Sequence, residues 1–425
     1  MNYLDQVVER QKKGNPTGIY SCCSSNEYVI RAAMRRAGKN NTPLLIEATA
    51  NQVNQYGGYT GMTPLQFKKW VEGIAEGESY PLDMLILGGD HLGPLTFAAE
   101  DEQTAMEKAK TLVCEFAKAG FKKIHLDTSM LIGDDKPGQL TDETIARRSA
   151  ALCKAAEEAF GGGSDPDERI RYVIGSEVPI PGGVQGNEDS VAVTSPEAYQ
   201  ATVDTFEKVY SEMGLGDVWK RVIAVVVQPG VEFGDNTVLP YNRARAEALI
   251  QAGRNNRMVF EGHSTDYQTP DSLRQMVEDG IAILKVGPAL TFGLREGLFA
   301  LAQMEEEMKI CDKSDLRYVI ERVMVNNPGQ WQKYYQGNAD ELSYARGFSY
   351  SDRMRYYLPE AQISKAIRKL IENLKTNPPS IPLLRQYLPI QAKKVIDGSL
   401  KNDPEELIMD HIGDWIDEYY YATLR

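Results

Sequence analysis

No apolar run in this 425-residue chain approaches the ~20 residues needed to cross a bilayer, so a membrane-spanning protein is not expected. The first residues, MNYLDQ, carry neither the basic n-region nor the apolar h-region of a secretion signal. Basic residues are outnumbered, 47 against 60 acidic, and the formal charge of −13 disfavours broad electrostatic binding to nucleic acid. A local cluster of Arg, Lys and backbone N–H groups still binds an anion on an acidic protein, so phosphorylated small molecules are not excluded. Cysteine is sparse and odd in number (Cys22, Cys23, Cys114, Cys153, Cys311), with no CxxC pair. That usage fits a reduced, cytoplasmic protein with buried thiols.

Several catalytic schemes lack their motif. There is no G-x-S-x-G nucleophile elbow and no G-x-x-x-x-G-K-[ST] loop to cradle a nucleotide's phosphates. No G-x-G-x-x-G opens a helix after the first strand, so no nicotinamide cofactor is expected. Solenoid-period repeats and long low-complexity tracts are also missing.

What is present is a series of eight short apolar runs: residues 18–25, 43–50, 83–91, 122–130, 171–183, 221–233, 257–267 and 282–288. Each has the continuous apolar character of a strand covered on both faces. Helical patterns such as 103–119 and 142–160 lie between them. Eight strands alternating with helices predict an α/β fold, a closed (β/α)8 barrel of the TIM type. Beyond residue 308 the pattern turns helical and aromatic, with a break at NPPSIP (377–382). The expected division is a barrel over 1–307 and a helical extension over 308–425 packed on it, a subunit interface being the other use for its tyrosines and tryptophans.

Polar residues cluster at the exits of the runs: Glu47, Asp90 with His91, Asp127, Glu177, Gln228, Glu261 with His263, and Lys285. In a parallel barrel all these exits face one end, where such folds hold their active sites. Any one of them reads as a solvated loop residue; the set does not. With only four histidines in the chain, His91 and His263, each beside carboxylates at an exit, point to a metal or an acid–base site. His125 falls inside the fourth strand, and His411 in the last helix reads as structural. Asp, Glu and His around one mouth suit zinc, or manganese, nickel or cobalt. Such an ion polarises a sugar carbonyl and stabilises the enediolate of a broken carbon–carbon bond, while a carboxylate takes a hydroxyl proton. The same groups without a metal would bind sugar hydroxyls, and Lys285 offers a Schiff base at lower odds. For an anion, the seventh and eighth exits read Ser264, Thr265, Asp266 and Lys285, Gly287, where small hydroxyl residues and a glycine N–H suit a phosphate; an ordinary helix N-cap fits equally well. Arg353 or Arg355, in the extension, would clamp a second charged group or form a structural ion pair.

Taken together, LIEATANQVNQYGGYT (45–60), GGDHLGP (88–94), KIHLDTSM (123–130) and GSEVPIPGG (175–183) resemble the tagatose-1,6-bisphosphate aldolase Z-subunit family. So do IAVVVQPGVEF (223–233), EGHSTDYQ (261–268), ILKVGPALTFGL (283–294) and SDRMRYY (351–357). The resemblance spans nearly the whole chain and implies a barrel related to class II, metal-dependent aldolases. Some family members are described as stabilising partners of a catalytic class II aldolase subunit. Others are described as 4-epimerases interconverting D-tagatose 6-phosphate and D-fructose 6-phosphate. The catalytic aldolases' Asp-His after the third strand is matched by Asp90-His91. Their His-Gly after the sixth strand is replaced by Gln228-Pro229-Gly230, and their His-Gly after the seventh by Glu261-Gly262, with His263 next. The resemblance therefore implies a metal on His91 with His263 or Glu261, joined by Glu177 or Gln228. Asp90, Asp127 or Glu261 would take the proton, and Glu47, Asn51, Gln228, Ser264, Thr265, Asp266, Lys285, Gly287 and Arg353 would bind the sugar phosphate. Carbon 4 of a 2-ketohexose has no acidic C–H. Retro-aldol cleavage of C3–C4, rotation and re-addition inverts it without a redox cofactor. The alternative role is that of a non-catalytic subunit beside a class II aldolase, and a homo-oligomer is compatible with either.

Overall fold

The computed structural model describes residues 2–136, 138, 140–162, 165–176 and 191–424. Eight strands, β1 (Ile19–Cys22), β2 (Leu44–Thr49), β3 (Leu85–Leu92), β4 (Lys123–Leu126), β5 (Arg171–Ile174), β6 (Val222–Val227), β7 (Val259–Gly262) and β8 (Ile281–Val286), pair in parallel and in chain order. Between β8 and β1 the circle closes. Every expected run holds one of these strands, so the fold is the (β/α)8 barrel. Glu47, Asp90, Glu261 and Lys285 stay in the ladder at the carboxyl ends of their strands, while Asp127 and His263 fall just past theirs. The run over 221–233 also merged two elements. Pro229 has no N–H to donate and Gly230 takes a left-handed φ of 88°, so the chain leaves β6 there. It then forms a short antiparallel pair, Glu232–Phe233 with Val238–Leu239.

Successive residues of a strand face opposite sides, which divides each strand between two environments. Outward residues such as Ile46, Ile124, Leu126 and Leu284 join the main apolar core beneath the helices. The helices begin where the sequence signals them: Asp101 caps Glu102–Ala119 through Thr104 N–H, and Thr141 caps Asp142–Phe160 the same way. Inward residues start apolar. Ile19, Leu45, Val173, Ile223, Val259 and Ile283 fill the amino-terminal half of the barrel, and Leu4 and Val7 of the helix Tyr3–Lys12 join them from below. Towards the carboxyl ends the same inward rows turn polar: Leu45 gives way to Glu47, Val259 to Glu261, Ile283 to Lys285.

The last helix, Pro404–Thr423, packs against Pro288–Glu307, Glu27–Asn40 and Pro270–Glu278, within the helical layer around the barrel. Tyr419 reaches Thr265 at the β7 exit with an O–H···O=C bond of 3.0 Å. In this helix, burial and the Asp414 carboxylate one turn earlier push Glu418 up to about 7. A carboxyl raised on folding adds stability that is full below its unfolded pKa and lost as pH rises through its folded one. Glu418→Gln should therefore raise the melting temperature by roughly 1–3 °C at pH 8 and by nothing at pH 4, read by calorimetry at both values. An equal shift at both would contradict this linkage.

Candidate active site

The polar half of the barrel is built on charge pairing. Register places Gly88 of β3 between Glu47 of β2 and Lys123 of β4. A Cβ on Gly88 would lie 2.7 Å from Glu47, so the glycine leaves the space in which the two side chains meet, Lys123 Nζ to Glu47 Oε1 at 2.5 Å. Lys123 also reaches Glu261 Oε2 across the barrel at 2.7 Å, and all three side chains are fully buried. Above them Lys285 pairs with Glu47 and, at 2.6 Å, with Asp90 Oδ1. Burial alone would strip the proton from Lys123 and Lys285, but the surrounding carboxylates outweigh it and hold both above the usual lysine range. Lys285 is thus an ammonium, without the lone pair a Schiff base needs. Burial works against ionised Asp90 and Glu261 as well, yet His91 and Lys285 hold Asp90, and Lys123 and Lys285 hold Glu261, well below the usual carboxylate range.

Three histidines converge above this network. Their ring centroids lie 5.0 Å (His91–His125), 4.8 Å (His91–His263) and 5.2 Å (His125–His263) apart, each pair edge to face. Each ring rests one nitrogen on a carboxylate: His91 Nδ1 on Asp127 Oδ2 at 2.8 Å, His125 Nδ1 on Asp90 Oδ1 at 3.0 Å, and His263 Nε2 on Glu261 Oε1 at 3.0 Å. That is the arrangement that fixes metal-ligating imidazoles, because the carboxylate orients the ring and frees its other nitrogen. His125 Nε2 is buried and has no hydrogen-bond partner among the described residues. Ligand atoms from Asp90, His91, His125 and His263 all lie within 4.8 Å of one another. Burial lowers His263 to about 3, leaving it the neutral imidazole a metal requires. These residues fit a divalent cation.

Backbone irregularity delivers these groups. The β3–β4 register shifts between Gly89 and Leu92, a bulge that re-aims Asp90 and His91, and His91 itself holds a left-handed φ of 48°. Gly93 follows, where a Cβ would sit 1.7 Å from the Asp127 carbonyl oxygen. Asp127, drawn down by His91 and by the Ser129 hydroxyl at 2.8 Å, is held at about 2 although burial opposes its charge.

A cavity of about 420 Å³ opens onto His91 and His263, with His125 buried behind them. Of the residues expected at the site, Asn51, Asp90, His91, His263, Ser264, Asp266, Lys285, Gly287 and Arg353 line it. Glu47, Asp127 and Glu261 lie behind this lining and hold the groups that do. Two expected contacts go elsewhere. Gln228 spends its side-chain oxygen on the N–H groups of Gly230 and Val231, bracing its own turn, and Thr265 gives its hydroxyl to the Lys285 carbonyl at 2.7 Å. Glu177 lies outside the described residues. The glycine N–H proposed for phosphate is already used: Asp266 Oδ1 accepts from Gly287 N–H at 3.0 Å and Ala289 N–H at 2.8 Å.

The second wall of the cavity comes from the chain beyond the barrel strands. Arg353 stacks its guanidinium on Tyr334, 3.6 Å from the ring centroid, and on Tyr356 at 4.5 Å, with Nε tied to the Gln330 carbonyl at 2.7 Å. Arg355 donates to Tyr356 Oη at 2.9 Å, and Tyr356 packs edge-on to Tyr59 of the β2 exit loop. The sequence reading missed Lys123, His125 and the two tyrosines. The signal for the first pair was there: Lys123, His125 and Asp127 alternate along β4 between Ile124 and Leu126, so all three face inward.

A (β/α)8 barrel with a buried histidine–carboxylate cluster at its mouth is the class that fold and site define. Residues 4–424 match the family described as D-tagatose-1,6-bisphosphate aldolase subunit GatZ/KbaZ-like, and the chain belongs to that family. It is similar to a probable tagatose 6-phosphate kinase from Sinorhizobium meliloti 1021, whose crystal structure is 42% identical, covers 95% of this chain and 100% of its own, and superposes with a TM-score of 0.87. Two aldolase structures resemble it weakly. A putative fructose-1,6-bisphosphate aldolase from Coccidioides immitis has 16% identity and a TM-score of 0.42, over 87% of this chain and 95% of its own. Fructose-bisphosphate aldolase from Campylobacter jejuni has 14% and 0.43, over 88% and 92%.

Removing Lys123 takes a shared cation from two buried carboxylates, leaving Glu47 on Lys285 and Glu261 on His263. Lys123→Met should lower unfolding free energy by about 3–5 kcal/mol, measured as a fall in the chemical denaturation midpoint. Adding Glu47→Gln and Glu261→Gln should recover part of that loss; a single variant as stable as the parent would refute the pairing.

Proposed function

We propose that this protein is a metal-dependent ketohexose phosphate 4-epimerase, interconverting D-fructose 6-phosphate and D-tagatose 6-phosphate by retro-aldol cleavage and re-addition at C3–C4. The observation that carries the reading is the trio of buried histidines, each braced by its own carboxylate, with His91 and His263 lining a cavity that also holds Asp90, Lys285 and Arg353. His91, His125 and His263 would hold the cation. Bound there, zinc or a related divalent ion supplies Lewis-acid charge for the oxyanion that develops at C2.

The chain's own groups divide the remaining work. Asp90 Oδ1 is engaged by Lys285 and His125, while Oδ2 sits 3.8 Å from Cys23 Sγ and from His91 Nε2, turned to the cavity. Held ionised, it takes the C4 hydroxyl proton. The C3–C4 bond then breaks, its electron pair forming an enediolate on the three-carbon ketose fragment. The C4 carbon becomes an aldehyde. Rotation of that aldehyde and attack by C3 on its other face reform the bond with C4 inverted, and the proton returns from Asp90. No electrons are lost, so no redox cofactor is needed. Lys285 keeps an ammonium beside the developing negative charge. Tyr59, Tyr334 and Tyr356 cover one wall, limiting protonation of the enediolate by water and escape of the aldehyde.

The kinase name borne by the Sinorhizobium relative finds no nucleotide-phosphate loop in this sequence. A subunit that only stabilises a class II aldolase has no use for three carboxylate-braced histidines. The test is purified protein alone: metal content by mass spectrometry, and tagatose 6-phosphate formed from fructose 6-phosphate. His91→Ala and His125→Ala should each lose bound metal and at least about 100-fold in kcat/KM, and Asp127→Asn about 10–100-fold in metal affinity. His411→Ala, whose ring meets Glu296 in the helical layer, should behave as the parent. No product with zinc, manganese, nickel or cobalt would refute the epimerase reading and leave the accessory role.

A further inference from the structure

Barrels of this fold commonly seat a phosphate where the last two strands exit, on the N-terminus of the following helix. Here that seat is filled from within. Gly287 and Ala289, at the start of the helix Pro288–Glu307, give their N–H groups to Asp266 Oδ1, and Asp266 is buried, lining the cavity wall beside Lys285 and Ser264. Its other oxygen makes no hydrogen bond among the described residues. The opposite charge lies on the second wall. Arg353, only 5% exposed, is pinned between Tyr334 and Tyr356, and its terminal nitrogens make no hydrogen bond to the described residues. A flat guanidinium fixed on both faces offers an edge suited to two phosphoryl oxygens.

We propose that Asp266 is a specificity residue that restricts this site to ketoses carrying one phosphate, on the end held by Arg353. It does so by placing a carboxylate where the second phosphate of a 1,6-bisphosphate would bind. This inference rests on the ketohexose phosphate reading above. The free oxygen of Asp266 accepts a hydrogen bond from the substrate's C1 hydroxyl. A phosphoryl group there would lack the backbone N–H groups that normally neutralise it and would face a like charge instead. Burial pushes Asp266 up to about 6, so it is mostly ionised at pH 7.5. The site then suits epimerisation of a monophosphate and opposes use of a ketose 1,6-bisphosphate.

The experiment is isothermal titration at pH 7.5 of the metal-loaded protein and of Asp266→Asn with fructose 6-phosphate, fructose 1-phosphate and fructose 1,6-bisphosphate. Asparagine keeps an oxygen for the two N–H groups and removes the charge, so the cap survives. The parent should bind the 6-phosphate at least roughly tenfold more tightly than either 1-phosphorylated sugar, and the variant should narrow that ratio severalfold. Equal affinities in the parent, or a ratio unchanged in the variant, would overturn the inference. Turnover of fructose 6-phosphate on the same preparation separates the failures. Turnover with equal affinities removes the selectivity alone, whereas binding of no sugar phosphate removes it together with the function it rests on.

Discussion

Two lysine ammonium groups inside a β-barrel are tolerable only because carboxylates meet them there, and the rest of the site depends on that pairing. Lys123 joins Glu47 to Glu261 across the barrel, and Lys285 joins Glu47 to Asp90. An isolated charge at this depth would cost several kcal/mol, so the members stand or fall together. The network has a direction. Lys123 and Lys285 bind only its carboxylates, whereas Asp90 and Glu261 pass their second contacts to His125 and His263. Charge neutralisation within the barrel is thereby converted into fixed orientation at the mouth.

The apolar plug below and the polar layer above belong to the same inward rows of the same strands. Such a division asks little of the fold, since alternation already assigns every second residue to the interior. It asks more of a few positions: a glycine at 88 for the salt bridge to pass, a bulge at Asp90–His91, a left-handed backbone at His91. Local backbone cost is concentrated where function would be placed, as is usual for catalytic sites.

The barrel was legible in the sequence because runs covered on both faces are continuous and apolar, and eight of them alternate with helices. Half of the candidate site was legible too, since Asp90, His91, His263 and Lys285 stand at run ends. His125 stands inside a run rather than at its exit, so exit position alone does not mark it. Only the alternation of Lys123, His125 and Asp127 against Ile124 and Leu126 reveals that all three look inward. Arg353 was legible as a clamp for a charged group, but the tyrosines that flank it were not, because nothing in SDRMRYY says which distant loop it will face. Gln228 and Thr265 misled for a related reason: an exit position puts a residue near the mouth, but its own turn or a neighbouring carbonyl can claim the side chain first.

The wall carrying Arg353 has a consequence for how the site comes into being. All eight strands and all three histidines precede residue 287, yet Tyr334, Arg353 and Tyr356 are supplied only by later chain, and Tyr419 of the last helix fastens the β7 exit. Contacts of such long sequence separation form late and at high entropic cost. During synthesis, a barrel could exist with its charged layer assembled while the cavity still stood open on one side. Competence to enclose a sugar phosphate would then arrive with the final quarter of the chain, which makes that segment the last checkpoint of folding as well as a wall.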